Sequence, residues 1–321
     1  MNGLKRLRGS VGMRRLVNET DIKTGALVYP LFVREGQRGA EKILSMPGQF
    51  RYGLDRLPYV AEELAAAGVG SVLLFGVPQK KDAEGSGAYD KNGAVQAAVK
   101  AFKSAGEFTV ITDVCLCEYT SHGHCGILFG GKIDNDATLT QLQRIAVSHA
   151  EAGADIVAPS AMADFQVRAI RAALDENGFD GVSIMSYSTK FSSALYGPFR
   201  EAAGSAPAFG DRKSYQLNPA NTREALRESL EDEKEGADIL MVKPAGFYLD
   251  ILSKLRQKTL LPIAAYSVSG EYAMIKAAVE RGFLDEKKVV TENALSVFRA
   301  GADILITYYA KELASGFKGE L

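Results

Sequence analysis

The chain has 321 residues, 46% hydrophobic and 24% charged, with a formal net charge of -1 at pH 7. This is ordinary globular composition with apolar mass for a large core, and although the length allows two domains, α/β barrels often run this long as one. The mixed, near-neutral charge argues against a nucleic-acid partner, and no apolar run approaches the roughly 18 residues of a membrane span.

The first 24 residues are polar and basic. Lys5, Arg6, Arg8, Arg14 and Arg15 alternate with the apolar Leu4, Leu7, Val11, Met13 and Leu16. Two readings stand: an arm (1–24) that packs its apolar residues on a neighbouring subunit, or an untethered tail. The segment lacks the apolar centre of a secretory signal; a transit peptide is a further reading of its composition. Three cysteines are too few and too clustered for a disulfide scaffold, so a reducing, cytoplasmic compartment is expected.

From residue 25 onward, eight short apolar runs predict strands: 26–33, 71–77, 108–114, 155–159, 181–187, 238–243, 262–268 and 303–308. Amphipathic stretches between them predict helices: 57–67, 91–105, 138–152, 164–177, 220–235, 246–257, and 271–300 broken near Gly282. A short helix from about 310 follows. A weak repeat marks several junctions: Gly153-Ala154-Asp155, Gly236-Ala237-Asp238 and Gly301-Ala302-Asp303, with a looser copy at Gly68-Val69-Gly70. Each ends a helical pattern with glycine and opens a strand buried on both faces. Eight strands alternating with helices predict an α/β fold, a (β/α)₈ TIM barrel over 25–321. An open doubly wound sheet is the alternative. It requires a Gly-rich dinucleotide turn after the first strand, and Arg34-Glu35-Gly36-Gln37-Arg38-Gly39 lacks that pattern. Pro30 predicts a bulge or strand end within the first run.

Barrel active sites lie at the C-terminal ends of the strands. Two runs lead into lysine there: Lys190 after the fifth, and Lys243 directly after Leu240-Met241-Val242. If these strands are neighbours, their backbones lie about 4.8 Å apart and the two ammonium groups repel in a poorly solvated mouth. Desolvation and like charge both lower a lysine pKa, and a neutral lysine forms Schiff bases with ketones. One such lysine suggests an aldolase; two suggest two carbonyl substrates held together.

All three cysteines, Cys115, Cys117 and Cys125, fall in the loop after the third run. Thiolates so spaced can converge on one Zn²⁺, with an open fourth position for catalysis. His122 or His124 would instead close a structural site. Asp113, just before the cluster, is placed to orient a ligand or accept an amine. The stretch 191–219 is long for a βα loop and follows Lys190, which predicts a lid whose arginines clamp a carboxylate. Hydroxyls at the seventh and eighth strand ends, Ser269 and Tyr308 among them, would suit a second carboxylate.

These segments together resemble the porphobilinogen synthase family, the 5-aminolevulinate dehydratases. The likeness rests on Asp113-Val114-Cys115-Leu116-Cys117, Tyr196-Gly197-Pro198-Phe199-Arg200, Phe209-Gly210-Asp211-Arg212-Lys213, Met241-Val242-Lys243-Pro244 and Val268-Ser269-Gly270-Glu271, and it runs from Tyr29 to Tyr309. It implies condensation of two 5-aminolevulinate molecules to porphobilinogen with loss of two waters, in tetrapyrrole synthesis. It implies Schiff bases on Lys243 (P-side substrate) and Lys190 (A-side substrate). Ser269 and Tyr308 would hold the P-side carboxylate, and Arg200, Arg212 and Gln216 the A-side one. Cys115, Cys117 and Cys125 match the zinc-dependent branch, Glu228 matches a regulatory Mg²⁺ position, and the arm matches the family's octamer. After the fourth strand the family commonly shows Ala-Pro-Ser-Asp-Met-Met-Asp-Gly-Arg. Here Ser160 and Asp164 remain, but Ala161 and Gln166 replace the first aspartate and the arginine. That departure bears on support around Lys190. Two rival functions stand beside this one: a single-Schiff-base aldolase on the same barrel, and a non-catalytic zinc-stabilised scaffold.

Overall fold

A computed structural model describes residues 4–316. The first three residues of the expected arm and the last five of the expected barrel lie outside them. The eight predicted strands form: β1 (Leu27–Arg34), β2 (Ser71–Val77), β3 (Thr109–Val114), β4 (Ile156–Pro159), β5 (Ser183–Lys190), β6 (Ile239–Lys243), β7 (Ile263–Ser267) and β8 (Ile304–Thr307). Each pairs in parallel with the next, and β8 pairs with β1, so the barrel closes. After the arm, the helices are α1 (Leu57–Ala67), α2 (Ala94–Ala105), α3 (Asn135–Ala152), α4 (Gln166–Glu176), α5 (Gly197–Ala203), α6 (Thr222–Glu235), α7 (Leu249–Arg256), α8 (Ser269–Glu280), α9 (Glu286–Arg299) and α10 (Ala310–Ser315). The predicted 271–300 stretch divides at Gly282, as its break implied. No helix among the described residues is long and apolar enough to cross a membrane.

The repeat has a structural reason. Gly153, Gly236 and Gly301 end their helices at φ 101°, 105° and 114°, where a Cβ would be strained. The aspartate two residues later then clips its strand to the preceding one. Asp155, Asp238 and Asp303 donate their N–H to the carbonyls of Val110, Ile184 and Ile263. Their carboxylates accept the N–H of those same three residues at 2.7–2.9 Å. Each repeat therefore sets the register of one strand pair at the barrel floor.

Pro30 departs from expectation. It lies inside β1, paired with Leu73, and the ladder to β2 runs across it without a shift. The missing N–H is tolerated because pairing to β8 is confined to Leu27 and Val28. Two small antiparallel hairpins were not predicted: Ala40–Lys42 with Phe50–Tyr52, and Ile127–Phe129 with Lys132–Asp134. The described part of the arm holds a short helix, Val11–Leu16, capped by Ser10, that buries none of its residues in the chain, while Ile22 near the arm's end joins the core. Leu7, Val11, Met13, Leu16 and Val17 are exposed.

Candidate active site

Strand alternation alone would turn Lys190 away from the barrel interior. Ser186, four residues earlier, faces outward and donates to Asp232 of α6 at 2.6 Å. Between the pairs Ser186–Leu240 and Thr189–Val242 the register shifts, so β5 carries one residue more than β6. Such a bulge exchanges the faces of all that follows. Lys190 is thereby brought inward and sits directly opposite Lys243. Both lysines are buried, at 5% and 4% exposure, and line one cavity.

Their surroundings differ. The Lys243 ammonium lies 4.4–5.4 Å from the ring centroids of Tyr266, Tyr187, Phe199 and Tyr196. Burial first, then the Lys190 charge, pull its pKa down to about 7. Lys190 donates to the Ser160 carbonyl at 2.6 Å. Burial works to lower its pKa too, but the Cys125, Cys115 and Cys117 thiols and Asp113 outweigh it, and the net direction is up. Mutual repulsion, expected to weigh on both amines, is a leading cause only at Lys243, where the opposing pulls of Asp113, Glu118 and Cys117 do not offset it. Asp113 accepts from the Ser160 hydroxyl at 3.1 Å, and burial raises its pKa.

The three thiols are buried and lie within 4.8 Å of one another. Cys115 and Cys117 are 3.4 Å apart at sulfur, and none is in a disulfide. Three buried thiols whose sulfurs lie this close suit a cation that would hold them as thiolates. Glu118 stands beside Cys117 at 3.2 Å, its carboxyl raised by burial to about 7. The histidines do not complete this set. His124 uses its ring nitrogens on the Tyr215 hydroxyl and the Phe209 carbonyl, and His122 faces Ala83. No histidine joins a metal-capable group among the described residues.

The predicted lid is ordered. It holds α5 and packs on the cysteine loop so closely that a Cβ on Gly123 would lie 2.3 Å from the Ala206 carbonyl. Arg200 and Arg212 reach the lysine cavity. Arg212 donates to the Gly123 carbonyl at 2.8 Å and to Ser205. The Nε of each arginine is buried without a partner, as are both amide atoms of Gln216. Gln216 lines the adjoining cavity with Cys125 and Tyr215.

Ser269 and Tyr308 stand outside the lysine cavity. The Ser269 hydroxyl accepts from the Phe199 N–H at 3.0 Å, and Tyr308 pairs with the Tyr266 hydroxyl at 3.1 Å. Glu228 lies on α6 in a groove with Asp164 and Glu235, and with Asp164 it also lines the cavity of Cys125 and Gln216. Ala161 and Gln166 are buried beside the site, and Gln166 reaches only the Pro159 carbonyl, at 3.5 Å. Between them Met162 and Phe165 adopt φ 61° and 65°. Sequence reasoning missed the aromatic cage of Tyr187, Tyr196, Phe199 and Tyr266. Tyr196 and Phe199 flank Arg200 in a motif already singled out, so proximity was the available signal. Tyr187 could not be found that way, because the bulge alone puts it on the same face as Lys190.

A family model described as delta-aminolevulinic acid dehydratase matches residues 1–316. A dehydratase of that name from Methanothermus sociabilis is 54% identical over 310 residues, 97% of each chain. The Escherichia coli K12 one is 53% identical over 311, covering 97% of this chain and 96% of its own. A solved structure of the Toxoplasma gondii enzyme, in complex with the reaction product porphobilinogen, superposes with a TM-score of 0.96 at 44% identity, covering 98% of this chain and 91% of that one. The barrel, its site and these likenesses agree: the chain belongs to the delta-aminolevulinic acid dehydratase family.

Proposed function

We propose that the protein condenses two 5-aminolevulinate molecules into porphobilinogen, releasing two waters. The observation that carries this reading is two buried lysines at one register position in one cavity, with the Lys243 pKa pulled down to about 7. Lys243, neutral in good part near pH 7, attacks the ketone of the first substrate and loses water to form a Schiff base. Lys190 captures the second after Asp113, held by Ser160, takes its proton. The aromatic cage and the lid keep bulk water from reversing either imine. Arg200, Arg212 and Gln216 hold the A-side carboxylate; their unpartnered buried donors support this. Ser269 and Tyr308 hold the P-side carboxylate by giving up their present partners.

Cys115, Cys117 and Cys125 would hold Zn²⁺, which supplies Lewis-acid chemistry toward a carbonyl or amine when bound. Glu228 would bind a regulatory Mg²⁺. Burial and the neighbouring Asp164, Glu224 and Glu235 raise its pKa, which is the strain a cation relieves. The exposed apolar residues of the arm suit packing on neighbouring copies in an octamer. The direct test is a colour assay for the pyrrole product with and without chelator. Product forms with metal, and chelation lowers its rate by about 10² or more, reversibly and without unfolding. No pyrrole with Zn²⁺ present would sink the reading. Unfolding on chelation with no substrate consumed would favour the scaffold.

A further inference from the structure

The lid's α5 carries Phe199 and Arg200 into the lysine cavity, and it ends at Gly204. The last carbonyls of a helix have no partners of their own and carry partial negative charge. Here the Glu201 carbonyl takes the Gly204 N–H at 3.3 Å, and two cations from elsewhere in the barrel supply further donors. Arg51 donates from Nε to the Ala202 carbonyl at 2.6 Å and from an Nη to the Glu201 carbonyl at 2.7 Å. Lys81 donates to the Gly204 carbonyl at 2.6 Å. Arg51 stands on the short strand Phe50–Tyr52, opposite Phe32 of β1, and Lys81 in the loop after β2. Neither lines the lysine cavity, although the Lys81 charge interacts with Glu118 and Cys117 on its wall.

Arg51 is itself aimed. Its remaining nitrogen pairs with Glu41 at 3.1 Å, and Glu41 also pairs with Arg34 at the end of β1. Its side chain is 11% exposed. A planar guanidinium fixed by a carboxylate presents its other two edges in one direction, and here that direction meets two successive carbonyls.

We propose that Arg51 and Lys81 are positioning residues that latch the lid down through the C-terminus of α5, fixing Phe199 and Arg200 over the two lysines. Substrate binds productively to the latched state, so apparent affinity scales with the fraction of molecules latched. The kinetic half of this inference rests on reading Arg200 as a carboxylate binder; the exchange half does not.

The test compares Arg51→Ala, Arg51→Lys, Arg51→Ala/Lys81→Ala and Arg200→Ala with the unaltered full chain. Michaelis constants for 5-aminolevulinate and substrate-free amide exchange across 197–217 are measured together. Arg51→Ala should raise KM about tenfold with kcat little changed, and speed exchange in 197–217 by a similar factor while the barrel strands stay protected. Arg51→Lys should fall between, and the double variant should exceed the single. Unchanged exchange in the lid of the double variant overturns the latch. Exchange that rises equally throughout the barrel overturns it too, since that marks a merely structural role. Arg200→Ala should raise KM without loosening the lid. If its KM is unchanged, the carboxylate reading fails while the exchange result still decides the latch.

Discussion

Lys243 and Lys190 are the same residue type, on adjacent strands, at one register position, and their surroundings push their pKa values in opposite directions. Four aromatic rings surround Lys243, and its pKa falls to about 7. Lys190 is as deeply buried but faces three thiols and Asp113, and its pKa rises. Burial acts on both, so burial does not distinguish them; the charge of the neighbours does. On the proposed reading, this difference readies one amine for attack and holds the next in reserve.

The largest expected effect comes from removing either amine. Lys243→Ala should lower turnover by about 10⁴-fold or more, and Lys190→Ala by about 10³-fold, with far-ultraviolet dichroism unchanged. Near-normal turnover in Lys190→Ala would favour the single-Schiff-base aldolase and erase the comparison.

A smaller effect separates the two by pH. Only the neutral amine attacks, so borohydride trapping of substrate on Lys243 should speed up as pH rises through about 7 and then level off. A midpoint near 10 would mean that the cage does not depress this pKa.

The same depression has a stability consequence. The unfolded lysine, near 10.5, binds a proton that the folded one sheds near 7. Unfolding is therefore favoured most below pH 7, and stability rises with pH between about 7 and 10.5. Lys243→Met should thus stabilise the fold by roughly a few kcal/mol at pH 7, read as a Tm several degrees higher, and the gain should shrink toward pH 10.

The smallest effect lies in the loop behind Lys190. Phe165 holds φ 65° where the family commonly has glycine, and its half-exposed ring meets only Arg168 among the cation contacts. Phe165→Gly should relieve that backbone and stabilise by up to about 1 kcal/mol, with turnover unchanged, in thermal melts and rate assays.

Much of this was legible in the chain. The strands announced themselves because a parallel barrel buries both faces, and Gly-Ala-Asp marked three strand starts because each aspartate closes a ladder there. The clustered cysteines and the two strand-end lysines were visible as chemistry. What stayed hidden depends on geometry between segments. The bulge in β5 leaves no signature in Ser186-Tyr187-Ser188-Thr189, yet it decides which way Lys190 faces. Pro30 misled because a propensity rule cannot know that the β8 ladder stops at Val28. The division of labour between the lysines follows from the cage and the thiols, which come from several strands and the lid.

The most direct measurement is to mix the protein with limiting 5-aminolevulinate, reduce with borohydride and map the adducts by mass spectrometry. Reaction through the depressed amine predicts the first adduct on Lys243, with Lys190 modified only as substrate is raised. No adduct on Lys243, or a first adduct confined to Lys190, would contradict it.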